Sequence, residues 1–263
     1  MHPIAFRIGD LSVHWYGILV ALGFILGFWT AGRRAQRNGI SSDKIMDLAP
    51  WILIPAIIGA RGLHVISYWQ EFADKSIWTI FNIRGGGLVF YGGFIGACLG
   101  TIAYARIKKI PLWKLADALA PSVALGHAFG RLGCLMTGCC YGTECTLPWA
   151  IQYPHGHETF PADVHPVQVY EALLNFALYA GLAWFYRRKK FDGQIFATYL
   201  ILYAIVRSFT EMFRADYSAS EYFLGFISPG QLVSIFIITF GVVLFWYQSR
   251  QKTAGVNERV KRK

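Results

Sequence analysis

The segment from Gly126 to Gly142, GHAFGRLGCLMTGCCYG, begins inside an apolar run and ends in a loop rich in glycine and cysteine. Arg131 lies at the junction, and an arginine within an apolar membrane segment marks a functional site by default. Its planar guanidinium can hold a phosphate or carboxylate with two parallel hydrogen bonds. Glycines such as Gly133 let backbone or ligand approach closely. The alternative is a tightly packed helix end whose arginine extends toward the membrane surface.

Two further arginines, Arg61 and Arg207, also fall within apolar stretches. Arg207 and Glu211 are four residues apart, so both side chains share one face of a helix. The alternative reading is that Glu211 only neutralises Arg207, as buried ions usually require. Arginines that face one cavity would bind an anionic lipid headgroup. The same arginines would stabilise charge on a departing phosphate.

Polar side chains that could assist them lie near the starts of other apolar runs. Tyr16 stands in HWYG, where an interfacial tyrosine is the alternative reading. Tyr91 lies between glycines in GGGLVFYGG, a pattern typical of unwound or closely approached backbone. Gln168 in HPVQVYE shares a helix face with His165 and Glu171. A structural role at the helix start is the alternative for this third group.

Four of the five cysteines fall close together in the chain, and the full set is Cys98, Cys134, Cys139, Cys140 and Cys145. With His155, His157 and His165, they could form a zinc or iron site. However, the sequence contains no Cys-x-x-Cys pair, and adjacent Cys139 and Cys140 are awkward for one tetrahedral site. Disulfides are a second alternative if the loop is extracytoplasmic. We therefore predict neither a metal nor any other cofactor.

The composition predicts a helical membrane protein. The chain has 263 residues, of which 55% are hydrophobic and only 15% charged, and its mean hydropathy is +0.39. A soluble domain carries about a quarter charged residues. The net charge of +10 is spread over short clusters after apolar runs, which argues against nucleic acid as a partner. The N-terminus lacks the pattern of a cleaved signal peptide.

Seven apolar runs are long enough to cross a bilayer. The sequence therefore predicts an all-α fold with seven transmembrane helices, in one integral membrane domain over 1–263. The predicted spans cover approximately residues 13–32, 46–69, 88–105, 115–135, 166–186, 194–212 and 231–248.

Basic clusters fix the predicted orientation of these spans, because cytoplasmic loops are rich in lysine and arginine. Such clusters follow the first, third and fifth spans at Arg33, Arg106 and Arg187. The N-terminus is therefore predicted to be periplasmic and the C-terminus cytoplasmic. Residues 137–164 would form a periplasmic loop, and 250–263 a basic cytoplasmic tail.

These patterns leave three rival classes of function. A transporter or channel would need polar residues through the full depth of the membrane, but here they crowd toward the outer half. A metal- or redox-active protein would depend on the cysteine loop. A noncatalytic scaffold would bind an anionic lipid without modifying a second substrate.

The blocks of the sequence nevertheless resemble one known family, the bacterial phosphatidylglycerol–prolipoprotein diacylglyceryl transferases. Its glycine-arginine-glycine motif is similar to GRLGCLMTGCCYG, and the resemblance covers nearly the whole chain. The other matching blocks are HWYG at 14–17, GARG at 59–62, GGGLVFYGGFIG at 85–96, HPVQVYE at 165–171, RSFTEMFRAD at 207–216 and GQLVS at 230–234.

This resemblance implies an enzyme of the bacterial inner membrane whose active site faces the periplasm. Such an enzyme moves the diacylglyceryl group of phosphatidylglycerol onto the lipobox cysteine of a preprolipoprotein signal peptide, and releases glycerol phosphate. By the same resemblance, Arg131 matches the arginine of the main motif, and Arg207 and Glu211 match the essential arginine and the acidic residue one turn on. Tyr16 matches the tyrosine near the first span. The implied partners are these two substrates and the surrounding lipids.

We therefore predict catalytic roles for Arg131, Arg207, Tyr91 and Glu211. The residues predicted to bind the phosphatidylglycerol headgroup are Arg131, Arg207, Tyr16, Arg61, Gly133 and Gln168.

The chain departs from the family pattern at two places. Many members have histidine where this chain has Tyr91, and a tyrosine with its ordinary pKa of about 10 would need strong activation to act as a base. Many members also have asparagine at the positions of Cys134 and Thr137, and glutamate at that of Cys139. The arginines and glycines are kept, so the sequence indicates a cysteine-rich variant of the family.

Overall fold

A computed structural model gives the architecture, and it describes residues 3–9, 11–73, 75–83, 86–215, 223 and 227–261. Helices dominate these residues. The long ones are α1 (Trp15–Gln36), α2 (Ser42–Ser67), α5 (Phe90–Ile107), α6 (Leu112–Thr137), α7 (Val167–Phe185), α8 (Gln194–Glu211) and α9 (Pro229–Lys261).

The long helices are joined by shorter elements. The helices α3 (Trp69–Phe72) and α4 (Trp78–Phe81) follow α2, and a 3₁₀ turn at Tyr186–Arg188 follows α7. Two antiparallel strand pairs complete the described elements: β1 (Ile4–Ile8) with β2 (Leu11–His14), and β3 (Ile151–Gln152) with β4 (Asp163–Val164).

The long helices overlap the seven predicted spans, which is consistent with a predominantly helical membrane protein. Within the described residues, three helices are long and apolar enough to cross a membrane: Trp15–Gln36, Ser42–Ser67 and Pro229–Gln251. The number of seven spans, the orientation of the termini and the sidedness of the 137–164 loop stay predictions.

Several boundaries differ from the sequence-based prediction. The N-terminal residues, which precede the first predicted span, pair as the β1–β2 hairpin. Helix α2 begins four residues earlier than predicted because the Ser41 hydroxyl accepts a hydrogen bond from Lys44 N and caps it. Helix α9 continues to Lys261 through most of the predicted basic tail, of which 262–263 lie outside the described residues.

The chain divides into two compact units. The first unit comprises Met1–Arg34 and Ala116–Lys263, and the second comprises Ala35–Leu115. The prediction of a single integral membrane domain over 1–263 stays a prediction.

In the second unit, α2 and α5 pack with their backbones almost in contact. Gly92, Gly96 and Gly100 of α5 recur at every fourth position and are buried. A Cβ atom added at any of them would collide with a backbone carbonyl oxygen of α2, that of Gly59, Pro55 or Trp51 respectively. This small-residue stripe holds the helix pair together by close van der Waals contact, as is usual in membranes.

In the first unit, a buried carboxylate ties α6 to the start of α8. Asp117 is fully buried and accepts hydrogen bonds from the backbone N–H groups of Gly193 (2.9 Å) and Phe196 (3.0 Å). Lys189 donates to the same carboxylate at 3.0 Å. Because the first N–H groups of a helix have no partner within it, this carboxylate from another helix caps α8.

Candidate active site

Glu171 of α7 joins the two arginines that the sequence analysis selected. Its side chain is only 3% exposed, and Oε1 accepts a hydrogen bond from Nη1 of Arg207 at 2.8 Å. Its other oxygen, Oε2, forms an ion pair with Nε of Arg131. The hydroxyl of Thr210 donates to Oε1 at 3.0 Å. Three helices, α6, α7 and α8, therefore bring Arg131 and Arg207 to opposite oxygens of one carboxylate.

Glu211 forms the second acidic contact of Arg207, one turn further along α8. Nη2 of Arg207 lies 2.6 Å from Oε2 of Glu211, as the four-residue spacing predicted. The Ser228 hydroxyl donates to Oε1 of Glu211 at 3.1 Å. Two arginines and two glutamates therefore form a buried network whose formal charges cancel, as a low-dielectric environment requires.

The start of α9 is shaped to fit this network. Ser228 and Gln231 form a capping box, since Gln231 N donates to the Ser228 hydroxyl and Ser228 N donates to the Gln231 amide oxygen. Gly230 lies directly against Glu211, and a Cβ atom there would collide with the carboxylate. Helix α9 can therefore begin at the edge of the network only because residue 230 is glycine.

Arg131 has a second partner on its own helix. Its Nε donates to Nε2 of His127 at 3.2 Å, and the His127 ring packs edge-on against Tyr203. Within the described residues, both side-chain partners of Arg131 are reached through Nε. Its two terminal NH₂ groups can therefore form a bidentate contact with another anion.

Tyr16 and Gly133 lie next to Arg131. A Cβ atom at Gly133 would come within 2.8 Å of the Tyr16 ring, so glycine leaves room for that ring beside α6. Arg131 and the thiols of the Gly138–Gly142 loop are close enough to Tyr16 to interact with it electrostatically. The structure therefore places the predicted headgroup ligands Tyr16, Gly133 and Arg131 in one neighbourhood.

Gln168 is fully buried and holds the cysteine-rich loop rather than pointing into solvent. Its Nε2 donates to the carbonyl oxygen of Cys139 at 2.7 Å and to the Tyr153 hydroxyl at 2.8 Å. The His157 ring stacks on Tyr153 and hydrogen-bonds the carbonyl oxygen of Gly138 at 2.9 Å. The loop backbone is therefore fixed at two successive carbonyl groups.

The thiols of Cys134, Cys139 and Cys140 converge where this loop leaves α6. Their sulfur atoms all lie within 4.8 Å of one another, and none of the five cysteines forms a disulfide in this structure. Hydrogen bonds with the thiols of Cys134 and Cys140 hold the pKa of the Cys139 thiol below its usual value. The three thiols therefore interact closely with one another.

The remaining two predicted site residues, Arg61 and Tyr91, lie in the second unit. Arg61 is buried and donates four hydrogen bonds to the carbonyl oxygens of Thr79, Ile80, Gly86 and Gly87. It thereby ties α4 to Gly86 and Gly87, and it lines a pocket that also includes His64, Lys75 and Asn82. Tyr91 is 60% exposed at the start of α5, where its ring packs against Phe90.

Comparison with known proteins decides the family. The family model described as Prolipoprotein diacylglyceryl transferase matches residues 3–247. A phosphatidylglycerol–prolipoprotein diacylglyceryl transferase of Finegoldia magna is 40% identical over 245 residues, which cover 93% of this chain and 94% of that protein. The protein of the same name from Clostridioides difficile is 34% identical over 98% of this chain and all of its own length. That of Bacillus cytotoxicus is 36% identical over 97% of this chain and 94% of its own length.

This chain belongs to the prolipoprotein diacylglyceryl transferase family. Membership confirms the resemblance seen in the sequence, and it confirms that the chain is an enzyme of the transferase class. The roles of individual residues stay predictions.

Sequence reasoning missed the central member of this transferase-family site. Glu171 entered the sequence analysis only as part of a helix start, whereas the structure makes it the shared partner of Arg131 and Arg207. His127 and Thr210 were not selected at all. A carboxylate in an otherwise apolar run was the available signal, since such a group needs a cationic partner somewhere in the fold.

Proposed function

We propose that this protein transfers the diacylglyceryl group of phosphatidylglycerol to the lipobox cysteine of a preprolipoprotein. A carbon–sulfur bond forms at the glyceryl carbon while the carbon–oxygen bond to phosphate breaks. The electron pair of that bond leaves with glycerol phosphate, and the other product is a thioether. This reaction is the first step of lipoprotein maturation.

One observation carries this proposal: Arg131 and Arg207 contact the two oxygens of the buried Glu171 carboxylate. Glu171 holds both guanidiniums at one carboxylate before the lipid binds. Departure of phosphate from carbon is slow unless fixed cations meet its growing negative charge. In this proposal, the terminal NH₂ groups of Arg131 grip the phosphate, and Arg207 adds the second positive charge.

The other predicted residues have supporting roles. Tyr16 and Gly133 line the approach to Arg131, and Gln168 positions the loop that passes beside it. Arg61 stays a proposed headgroup ligand, and within the described residues its guanidinium donates to backbone carbonyl oxygens of α4 and of Gly86 and Gly87. The candidates for accepting the thiol proton are Tyr91, Glu211 and an oxygen of the departing phosphate.

The proposed location is the bacterial plasma membrane, which the chain crosses seven times. Its N-terminus is periplasmic, its C-terminus is cytoplasmic, and the active site faces the periplasmic side. Phosphatidylglycerol enters sideways from the outer leaflet, and the lipidated product leaves sideways. This arrangement agrees with the apolar surfaces of the long helices and with the basic clusters between them.

A transfer assay with labelled phosphatidylglycerol and a lipobox peptide tests the proposal. Wild-type protein should produce a labelled thioether, whereas a lipid-binding scaffold would bind the lipid without labelling the peptide. Arg131→Ala and Arg207→Ala should each lower kcat at least about 100-fold, because each removes a fixed charge from the leaving phosphate. Arg188→Ala is the matched control, since Arg188 stacks on Trp184 outside the network. Full turnover by either site variant would contradict the charge-stabilisation mechanism.

Tyr91→Phe tests one candidate for the proton acceptor. This change keeps the ring and removes only the hydroxyl. If the hydroxyl accepts the proton, kcat should fall about 100-fold, which is typical for loss of a general base. An unchanged kcat would exclude Tyr91 from that role.

A further inference from the structure

The three thiols beside the proposed active site have the geometry of a metal centre. Cys134 comes from the last turns of α6, and Cys139 and Cys140 come from the loop that follows. Three sulfurs bound to one tetrahedral zinc ion at 2.3 Å would lie about 3.8 Å apart. The observed sulfur atoms are already within 4.8 Å of one another. Small side-chain rotations would therefore suffice to bind a metal ion.

The backbone holds the thiols in this arrangement. Gly138 and Cys140 have positive φ angles of 83° and 62°, which turn the chain back toward the end of α6. A positive φ is unfavourable for a non-glycine residue, so Cys140 stays in this conformation because its surroundings impose it. Gln168 and His157 supply that restraint through hydrogen bonds to the carbonyl groups of Cys139 and Gly138.

The local charge also suits a thiolate-bound cation. Three thiolates and one Zn²⁺ carry a net charge of −1. Cys134 and Cys140 interact electrostatically with Arg131, so a positive charge lies close to the negatively charged centre. Borderline-soft Zn²⁺ prefers sulfur ligands, whereas Mg²⁺ and Ca²⁺ require oxygen ligands.

The number of protein ligands indicates the kind of zinc site. Among the described residues, this cluster comprises three potential ligands, and Cys139 is exposed at its edge. Structural zinc sites are closed by four protein ligands, whereas catalytic sites have three and keep one position for water or substrate. The arrangement therefore matches a site that takes its fourth ligand from outside.

We propose that Cys134, Cys139 and Cys140 bind Zn²⁺ and that its fourth position accepts the lipobox thiol of the substrate protein. This inference rests on the proposed function, and it reverses the sequence-based prediction that no metal is bound. That prediction relied on the missing Cys-x-x-Cys spacing and on the adjacency of Cys139 and Cys140, whereas the three sulfur atoms come within 4.8 Å of one another through the turn after α6.

Metal binding would supply the thiolate that the transfer needs. A thiol that coordinates a metal ion loses its proton, which passes to water as the sulfur–metal bond forms. The bound thiolate then attacks the glyceryl carbon, and glycerol phosphate leaves with the electrons of the carbon–oxygen bond. The thioether product carries no negative charge and binds zinc weakly, so it dissociates. In this scheme Tyr91→Phe has little effect on kcat, since no side chain needs to take the proton.

The metal site can be tested without the reaction. Full-length protein, purified in detergent without chelators, should contain about one zinc ion per chain by elemental analysis. Cys139→Ser, Cys140→Ser should reduce the zinc content to less than about a tenth of that value. Cys98→Ser, Cys145→Ser is the matched control, because it removes two thiols outside the cluster and should leave the zinc content unchanged. Copper in place of zinc, a disulfide within the cluster, or three free thiols without metal would each overturn the proposal.

Cobalt substitution tests the open position. Co²⁺ bound by three thiolates gives visible bands that respond to the fourth ligand. A lipobox peptide should shift these bands, and the same peptide with serine in place of cysteine should not. An unchanged spectrum would exclude a metal-bound substrate thiol.

The transfer assay then separates failure of this inference from failure of the proposed function. Unchanged transfer after complete removal of zinc would refute the metal-bound thiolate and leave the proposed function intact. No transfer by zinc-loaded protein, with the cobalt bands still shifted by the peptide, would refute the proposed function instead. At least a 100-fold loss of transfer on zinc removal, restored by Zn²⁺, is the expected result.

Discussion

Nη1 of Arg207 donates to Oε1 of Glu171 across 2.8 Å, from the end of one helix to the start of another. Because Oε2 of the same carboxylate is paired with Arg131, the position of each arginine depends on Glu171. A charged group that holds two others in a buried site acts by orienting them. Glu171 is therefore a positioning residue for the proposed phosphate contacts.

Glu171→Gln is expected to separate positioning from lipid binding. Glutamine keeps the size of the side chain but removes the charge that both arginines share. We expect kcat to fall about 10- to 100-fold with a smaller change in KM for phosphatidylglycerol, because loss of a group that orients catalytic side chains typically has an effect of that size. Steady-state transfer kinetics would measure both constants.

Glu144→Gln is the matched control for this change, since Glu144 is an exposed carboxylate of the same unit. It should leave both constants unchanged. If Glu171→Gln also turned over normally, the arginines would not depend on the shared carboxylate.

The sequence predicted the helices well and the contacts between them poorly. Apolar runs of sufficient length located every long helix, and the four-residue spacing predicted the pair Arg207–Glu211 within α8. The pairing of Glu171 with Arg207 joins residues 36 positions apart on two helices. Periodicity reports only which residues share a face of one helix, so it cannot reveal such a partner.

The same limit explains why the sequence did not predict that the three thiols of the cysteine loop lie together. The sequence contains no Cys-x-x-Cys pair, and Cys140 directly follows Cys139, which is awkward for one tetrahedral site. The thiols meet because the chain reverses at Gly138, and that turn becomes visible only in three dimensions. Sequence spacing therefore argued against the metal site that we propose from the positions of the three sulfur atoms.

Gly230→Ala should impair activity through Glu211. The added methyl group would collide with the Glu211 carboxylate, so either the carboxylate or the start of α9 must move. We expect at least about a tenfold loss of kcat, because misplaced charges stabilise a transition state less well. The transfer assay measures the loss of kcat, and unfolding monitored by tryptophan fluorescence measures the change in stability.

Gly181→Ala is the control for the glycine change. Gly181 lies within α7, and a Cβ atom there meets nothing within 4 Å. Replacing a helical glycine without a clash should stabilise the protein by about 0.5–1 kcal/mol and leave kcat unchanged. Equal effects of the two substitutions would show that the contact between Gly230 and Glu211 is unimportant.

Gly96→Ala should destabilise the second unit. A methyl group at Gly96 would collide with the carbonyl oxygen of Pro55 and push α5 away from α2. Overpacking of this kind costs about 1–3 kcal/mol. Gly62→Ala on α2 is the control, because its Cβ atom meets nothing within 4 Å. Thermal unfolding in detergent should show a lower Tm for Gly96→Ala only, and an unchanged Tm would mean that this helix contact can relax freely.

Asp117→Asn should destabilise the first unit because the carboxylate caps α8 and pairs with Lys189 at the same time. Asparagine keeps one acceptor oxygen but loses the charge, which leaves the Lys189 ammonium without its buried partner. Breaking a buried pair in this way costs about 3–5 kcal/mol. The free energy of unfolding in mixed micelles would measure the loss.

Asp192→Asn is the control that shows how much of the loss in stability depends on burial of the carboxylate. Asp192 also pairs with Lys189, at 3.1 Å, but its side chain is 43% exposed, whereas that of Asp117 is fully buried. An exposed pair contributes at most about 1 kcal/mol, because water screens it. Asp192→Asn should therefore have nearly the same free energy of unfolding as the wild type. Similar losses for both variants would mean that Lys189, rather than the capping of α8 by Asp117, determines the stability of this region.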